Sequence, residues 1–189
     1  MKLIPTGIEN FKELIDKDYY YVDKTNLIVN IINEKVVLYT RPRRFGKTLN
    51  MSMLYYFFSI KEKKNSYLFN HLNISKNKET LEYQNKYPTI FISLKDMKNN
   101  SYEKQMNQFK EVICLCAKNF LELLDSDVLL DSEKKLFQKY VDNETQDNEL
   151  ERALFNISYF LYKHYHQKVI ILIDEYDVPL QSAYQNNYY

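Results

Sequence analysis

The feature that most constrains the fold is a set of three short apolar runs, at residues 36–39, 89–94 and 169–173. Each run consists mainly of strand-forming residues. A continuous apolar run, as opposed to an alternating one, is typical of a strand buried on both faces, as in parallel sheets. Strands of this kind that alternate with helices indicate an α/β fold with a parallel sheet.

Helical periodicity accounts for most of the chain between these runs. Apolar residues recur three or four positions apart, which is the spacing of one helix face. The pattern predicts helices over residues 8–15, 24–33, from 47 through 57, 101–124, 131–140 and 150–161. Residues 181–189 are predicted to form a short polar tail.

The bulk properties favour one globular domain over residues 1–189. A formal net charge of +1 provides no general field for attracting nucleic acid or an acidic membrane. We expect a cytoplasmic protein, because no signal peptide opens the sequence and no apolar run is long enough to cross a bilayer.

The cysteines and the paired histidines are predicted to be structural. Cys114 and Cys116 lie two apart in a helical pattern, so their side chains diverge and a disulfide or metal clip is not expected. His164 and His166 lie at the end of a predicted helix, where the helix dipole favours a protonated imidazole without any metal.

The first motif with chemical content surrounds Gly46, one of only two glycines in the chain. It connects the run at 36–39 to a predicted helix. A phosphate-binding loop needs a close backbone approach, a lysine and a hydroxyl for Mg²⁺, which Gly46, Lys47 and Thr48 would supply. The helix that begins at Lys47 would direct its positive dipole end at the anion. The alternative is a strand-to-helix turn with a solvated lysine.

The loop departs from the usual phosphate-loop pattern at one position. Arg41 stands where that pattern has its first glycine. Arg43 and Arg44 either grip phosphates or tie the loop to nearby acids, and the sequence does not separate these two roles.

The second motif is the acidic pair Asp174 and Glu175, which ends the run at 169–173. Ligands of open α/β folds bind at the carboxyl ends of the strands, which is where this pair is expected. There, Asp174 would hold Mg²⁺ through water and Glu175 would polarise an attacking water. The alternative is two solvated carboxylates. It is disfavoured because the phosphate-loop motif and the acidic pair occur in the order expected for one site.

Four segments along the chain form a specific set. The phosphate loop reads R-P-R-R-F-G-K-T-L at residues 41–49. G-I-x-x-F occurs at 7–11, Y-V-D-K-T at 21–25 and I-D-E-Y-D-x-P at 173–179. Together these segments resemble the AAA-ATPase-like proteins, and the likeness extends from residue 7 to about residue 180. It explains Arg41, because an arginine at that position is the family's own form of the loop.

The resemblance implies a three-layer P-loop NTPase of the additional-strand type, which binds ATP and Mg²⁺ and is a possible ATPase. The long separation of Lys47 from Asp174 in the sequence predicts an added helical layer. Catalysis would fall to Lys47 and Glu175, and metal binding to Thr48 and Asp174. The nucleotide would be held by Arg43, Arg44, Phe45, Gly46, Lys47, Thr48 and Leu49. The matching residues Asp23, Lys24 and Asp177 have no assigned role, and for Asp23 we favour a helix N-cap.

Family members usually continue for several hundred residues, through the rest of the ATPase core into a nuclease-like C-terminal domain. The chain is therefore expected to be a C-terminally truncated, N-terminal portion of such a protein, whose remaining part would be its partner. Two alternatives stay open. The first is a non-catalytic fragment with an incomplete site. The second is a nucleic-acid-binding module built on the loop arginines, against which the balanced charge argues.

Overall fold

The structure, a computed structural model, describes residues 2–40 and 45–188. The chain divides into two compact units, the first ending at Thr89 and the second beginning at Ile90. No helix of the described residues is long and apolar enough to cross a membrane.

The described part of the first unit is helical. Its elements are α1 (Phe11–Asp16), α2 (Asn26–Ile31), α3 (Lys47–Phe58), two 3-10 helices (Ile60–Phe69 and Asn73–Lys76) and α4 (Lys78–Leu81). The predicted first two helices exist but are shorter than their apolar patterns. α1 begins only after Asn10, whose side chain accepts a hydrogen bond from the Glu13 amide at 3.0 Å and caps the helix.

Three aromatic rings form the centre of this unit. Phe11 of α1 stacks on Phe69 of the 3-10 helix with ring centroids 5.3 Å apart, and Phe57 of α3 meets Phe69 edge to face at 5.2 Å. Aromatic pairs at these separations contribute specific geometry in addition to burying area. The rings therefore fix the position of α3, and with it the residue at which α3 begins.

The strand predicted at residues 36–39 is wrong. This segment has no regular secondary structure, and Val36, Val37 and Leu38 are 89%, 47% and 67% exposed. An apolar run becomes a strand only when a neighbouring strand satisfies its backbone and other elements cover its faces. Within residues 2–40 and 45–188 the sheet consists of two strands, neither of which includes this segment.

The second unit combines two strands with the longest helices of the described chain. Its elements are β1 (Thr89–Ser93), α5 (Tyr102–Lys118), a 3-10 helix (Leu121–Asp125), α6 (Asp131–Asp142), α7 (Asp147–Leu150), α8 (Ala153–Tyr165), β2 (Ile170–Asp174) and α9 (Val178–Gln185). The predicted polar tail from residue 181 is wrong in part, because α9 extends to Gln185. Pro179 in the first turn of α9 suits a helix start.

β1 and β2 form a small parallel sheet, which confirms the α/β class. Leu94, just after β1, donates its amide to the carbonyl of Asp174 at 3.0 Å. The expected burial of both faces is wrong for β2, because Ile171 and Ile173 are 41% and 38% exposed. Leu172 and Asp174 lie on the opposite, buried face, as the two-residue period of a strand requires.

Helices α5, α6 and α8 pack with β1 into one core. Its fully buried members include Phe137 and Ile157. Cys114 and Cys116 of α5 are buried free thiols, which agrees with their prediction as small helix residues. The Cys114 thiol donates to the carbonyl of Val141 at 3.2 Å, and burial raises the pKa of the Cys116 thiol to about 12. Neither thiol is therefore suited to redox or metal chemistry.

Candidate functional site

The predicted phosphate loop ends at Gly46 in a backbone conformation that favours glycine. Gly46 has φ +73° and ψ 30° and is the N-cap of α3, which begins at Lys47 as predicted. A Cβ added at this position would meet no atom within 4 Å. The requirement for glycine is therefore the left-handed backbone itself and not a lack of space.

The first turn of α3 has the properties of an anion-binding helix start. Gly46 has no side chain that could cap the helix, and its carbonyl accepts the Asn50 amide at 3.0 Å. The amides of a first turn have no acceptor within the helix, and the helix dipole adds positive potential there. Lys47, Thr48 and Leu49 are half-buried, whereas Phe45 is 59% exposed.

Arg43 and Arg44 lie outside the described residues, as does Arg41. Their proposed contacts with phosphate therefore stay predictions from the sequence.

The second motif lies at the end of β2, as the apolar run predicted. Asp174 is the last residue of the strand and is 3% exposed. Its Oδ1 accepts the amide of Glu175 at 3.1 Å. Its Oδ2 is buried and has no hydrogen-bond partner among the residues that the structure describes. Such a group is rare in folded proteins because it has lost water without gaining a partner, and an ion is one explanation for it.

Glu175 turns the chain sharply away from the strand. Its φ of +54° lies in the left-handed region, which non-glycine residues seldom adopt. Conformations of this type cost on the order of 1–3 kcal/mol and cluster at functional sites. Two residues further on, Asp177 is the N-cap position of α9 and accepts a hydrogen bond from Gln181 at 2.6 Å, so its contact is local.

The helix that follows the acidic pair is fastened to the loop after β1. The carbonyl of Asn99 accepts hydrogen bonds from the Ser182 hydroxyl at 2.8 Å and from the Tyr188 hydroxyl at 2.9 Å. No pattern in the sequence predicts this contact, because it joins residues more than 80 positions apart. The contact with Asn99 restrains α9, the helix that follows Asp174 and Glu175 in the chain.

Asp23, for which we favoured an N-cap role, instead joins two distant segments. The N-cap of α2 is Thr25, and its side chain does not cap the helix. Asp23 Oδ1 accepts both the amide and the hydroxyl of Thr25 at 2.8 and 2.7 Å, while Oδ2 accepts the Asn73 amide at 2.6 Å. The buried Thr25 hydroxyl also accepts the Ile74 amide at 3.1 Å. The neighbouring Lys24 is exposed.

Sequence reasoning also missed Asn50. Its side chain is 2% exposed and donates to the Tyr39 hydroxyl at 3.1 Å. A signal existed, because Asn50 lies three and seven positions before Met53 and Phe57 and so falls on the apolar face of α3. A polar residue at such a position needs a hydrogen-bond partner.

Comparison with known proteins agrees with the class that these two motifs define. The family model described as "Predicted AAA-ATPase" matches residues 5–189. The chain belongs to this AAA-ATPase-like family, which supports nucleotide binding in general.

A curated protein of Azotobacter chroococcum mcd 1, the "Uncharacterized protein in vnfD 5'region", is similar to part of the chain. The two are 33% identical over 94 residues, which are 49% of this chain and 17% of the relative. No solved structure matches the chain.

The contacts of Asp23 predict that it stabilises the fold, whereas the neighbouring Lys24 does not. We expect Asp23→Ala to lower the free energy of unfolding by about 2 kcal/mol, because hydrogen bonds to a charged group are lost and buried donors lose their acceptor. Lys24→Ala is the matched control and should change it by less than about 0.5 kcal/mol. Urea denaturation of both variants measures the difference, and equal effects would contradict this role for Asp23.

Proposed function

We propose that this chain binds ATP together with Mg²⁺ and that its acidic pair supports ATP hydrolysis. The observation that carries the proposal is the buried Oδ2 of Asp174, which has no hydrogen-bond partner in the described part of the chain. Family membership supports the same conclusion in its coarser form, a nucleotide-binding ATPase class.

The chemistry of Asp174 suits a hydrated magnesium ion. Mg²⁺ takes oxygen ligands and keeps several of its waters, so it is commonly bound through one or two carboxylates together with substrate phosphates. A metal-bound water near Oδ2 would provide the hydrogen bond that this oxygen lacks. The Thr48 hydroxyl is the second proposed ligand, in the role that a phosphate loop gives to its Ser or Thr.

The phosphates are assigned to the start of α3. We assign the terminal phosphates to Lys47 and to the first-turn amides that Gly46 introduces, because that helix start favours negative charge. Arg43, Arg44, Phe45 and Leu49 complete the proposed nucleotide-binding segment. The bound metal would neutralise phosphate charge, so the protein's own contribution is to position the nucleotide and to complement the remaining charge.

Hydrolysis is assigned to two side chains. The Glu175 carboxylate would orient water and accept its proton as the water oxygen bonds to the γ-phosphorus and the bond to ADP breaks. Lys47 would stabilise the charge that develops on the transferred group. The strained backbone at Glu175 supports this role, because strain of this type is retained where a side chain needs a defined direction.

We also propose that β1 and β2 belong to a larger, three-layer P-loop sheet of the additional-strand type. Exposed Ile171 and Ile173 support this, as does the exposed apolar segment 36–38. Apolar strand residues of this kind are normally covered in parallel sheets. Further strands and the covering layer would come from a longer protein, since the aligned part spans only 17% of the relative that the chain matches.

The central test is titration of a fluorescent ATP analogue with Mg²⁺ into the parent chain and Lys47→Ala. We expect the variant to bind at least about tenfold more weakly, a difference of about 1.4 kcal/mol, because it lacks the charge on the terminal phosphates. Lys63→Ala removes an exposed lysine of the same unit and should bind like the parent. Equal affinities of the parent and Lys47→Ala, or no binding by the folded parent, would refute the proposed site.

Glu175→Gln separates binding from hydrolysis in the same experiment. This variant should keep the parent's nucleotide affinity and lose phosphate release, because the amide cannot accept the proton from water. Phosphate release at the parent's rate would remove Glu175 from the mechanism and leave the binding proposal standing.

Another prediction concerns the free-energy cost of burying the Asp174 carboxylate. In the absence of Mg²⁺, Asp174→Asn should raise the free energy of unfolding by about 1 kcal/mol, because a buried oxygen that lacks a partner costs more when it is charged. The same change should abolish the Mg²⁺ dependence of nucleotide binding. Thermal and urea unfolding measure the first effect and titration with and without Mg²⁺ the second.

Asp127→Asn is the matched control for this charge change, because Asp127 is exposed and lies in the same unit. It should leave stability and Mg²⁺ dependence unchanged. A destabilised Asp174→Asn that still responds to Mg²⁺ would contradict the metal assignment.

A further prediction uses the two glycines as a matched pair. Gly7 and Gly46 have φ values of +76° and +73°, and an added Cβ would meet no atom within 4 Å at either site. Replacing either by Ala should therefore lower the unfolding free energy by a similar amount, about 1–2 kcal/mol, through backbone strain alone. Only Gly46→Ala should weaken nucleotide binding, because only this residue introduces the first-turn amides. Equal binding by both variants would contradict that role.

A further inference from the structure

One residue contacts the chain on both sides of the predicted phosphate loop. The Asn50 side-chain amide donates to the Tyr39 hydroxyl at 3.1 Å, and Tyr39 precedes the loop. The backbone amide of the same Asn50 donates to the carbonyl of Gly46 at 3.0 Å, where the loop meets α3. Asn50 therefore links the entry of the loop to its exit.

The two sides of the loop differ in how packing holds them. The segment that enters the loop is exposed at Val36, Val37 and Leu38, so apolar burial contributes little to its position. α3 is anchored, because Met53 and Phe57 are fully buried. The hydrogen bond to Tyr39 extends this fixed position from the helix to the chain that enters the loop.

The presence of asparagine at position 50 is explained by a hydrogen bond and not by apolar packing. Asn50 occupies the face of α3 that buries Met53, Leu54 and Phe57. Asparagine is a weak helix former, and leucine at this position would contribute more through apolar contacts. Its 2% exposure means that the amide depends on a protein partner for hydrogen bonding, and Tyr39 is one.

We propose that Asn50 is a positioning residue that holds Tyr39, which precedes the phosphate loop, at the start of α3. The inference rests on the proposed function, because it assigns these two residues to the same nucleotide site. Their hydrogen bond fixes the separation of Tyr39 from the start of α3, so that the chain before the loop is in place before the phosphate arrives. Ordering a segment before it binds lowers the entropic cost of binding and so raises affinity.

The test compares Tyr39→Phe, Asn50→Ala and the double variant by titration with a fluorescent ATP analogue and Mg²⁺. Tyr39→Phe removes one hydroxyl and should raise Kd on the order of threefold to tenfold, as expected for the loss of one neutral hydrogen bond. The double variant should bind no more weakly than the weaker single variant, because both changes remove the same interaction. Fully additive losses would mean that the two residues act separately, which overturns the proposal.

The matched control is Tyr56→Phe. The Tyr56 hydroxyl also belongs to the α3 region, but it accepts a hydrogen bond from the Asn10 side-chain amide, whose nitrogen lies 3.3 Å away. This variant should keep the parent's Kd. A rise in Kd equal to that of Tyr39→Phe would show a general effect of losing a hydroxyl from this helix and would overturn the positioning role.

Amide hydrogen exchange without nucleotide supplies a readout that does not depend on ATP binding. Tyr39→Phe should speed exchange at the backbone amide of Asn50, which donates to the Gly46 carbonyl, while exchange in the 3-10 helix Ile60–Phe69 stays at the parent's value. Unchanged exchange at the Asn50 amide would overturn the proposal. If the parent binds no nucleotide, the proposed function fails, and the exchange result alone decides whether Asn50 and Tyr39 order the loop.

Discussion

The packing of α3 against the aromatic centre of the first unit determines where the predicted phosphate loop ends. Phe57 and Phe69 meet edge to face at 5.2 Å, and Phe11 stacks on Phe69. Because these rings hold α3 at a defined position, its first residue, Lys47, and the left-handed Gly46 before it are held as well. The local backbone at the candidate site is thus set by apolar contacts some ten residues away from it, as is usual when function lies on a loop carried by a rigid scaffold.

The second unit has two locally unfavourable features at adjacent residues. Asp174 buries a carboxylate oxygen that has no hydrogen-bond partner in the described structure, and Glu175 adopts a left-handed backbone. The surrounding contacts offset these costs, since β1 pairs with β2 and the carbonyl of Asn99 holds α9. Unfavourable local features that the remaining structure tolerates are typical of residues selected for activity.

Local signals in the sequence predicted the helix starting at Lys47 and the strand ending at Asp174, because both depend on neighbours in the chain. The strand predicted at 36–39 was wrong, since pairing depends on a second strand that an apolar run does not specify. The role of Asp23 was missed for a related reason. Its carboxylate binds the Asn73 amide, and a contact across 50 residues leaves no periodic trace in the sequence. The loop arginines stay predictions, because Arg43 and Arg44 lie outside the described residues.

The two candidate motifs have opposite electrostatic needs. The start of α3 favours an anion, because of its dipole and Lys47. Asp174 needs a cation or a donor, because its Oδ2 is buried without a partner in the part of the chain described. Under the proposed function, Mg²⁺ and ATP meet both needs as one ligand, and neither component alone does so. Nucleotide without metal should then stabilise the fold less than the pair does, since a ligand stabilises the native state according to its own affinity, by about 2.7 kcal/mol at a hundredfold excess over Kd.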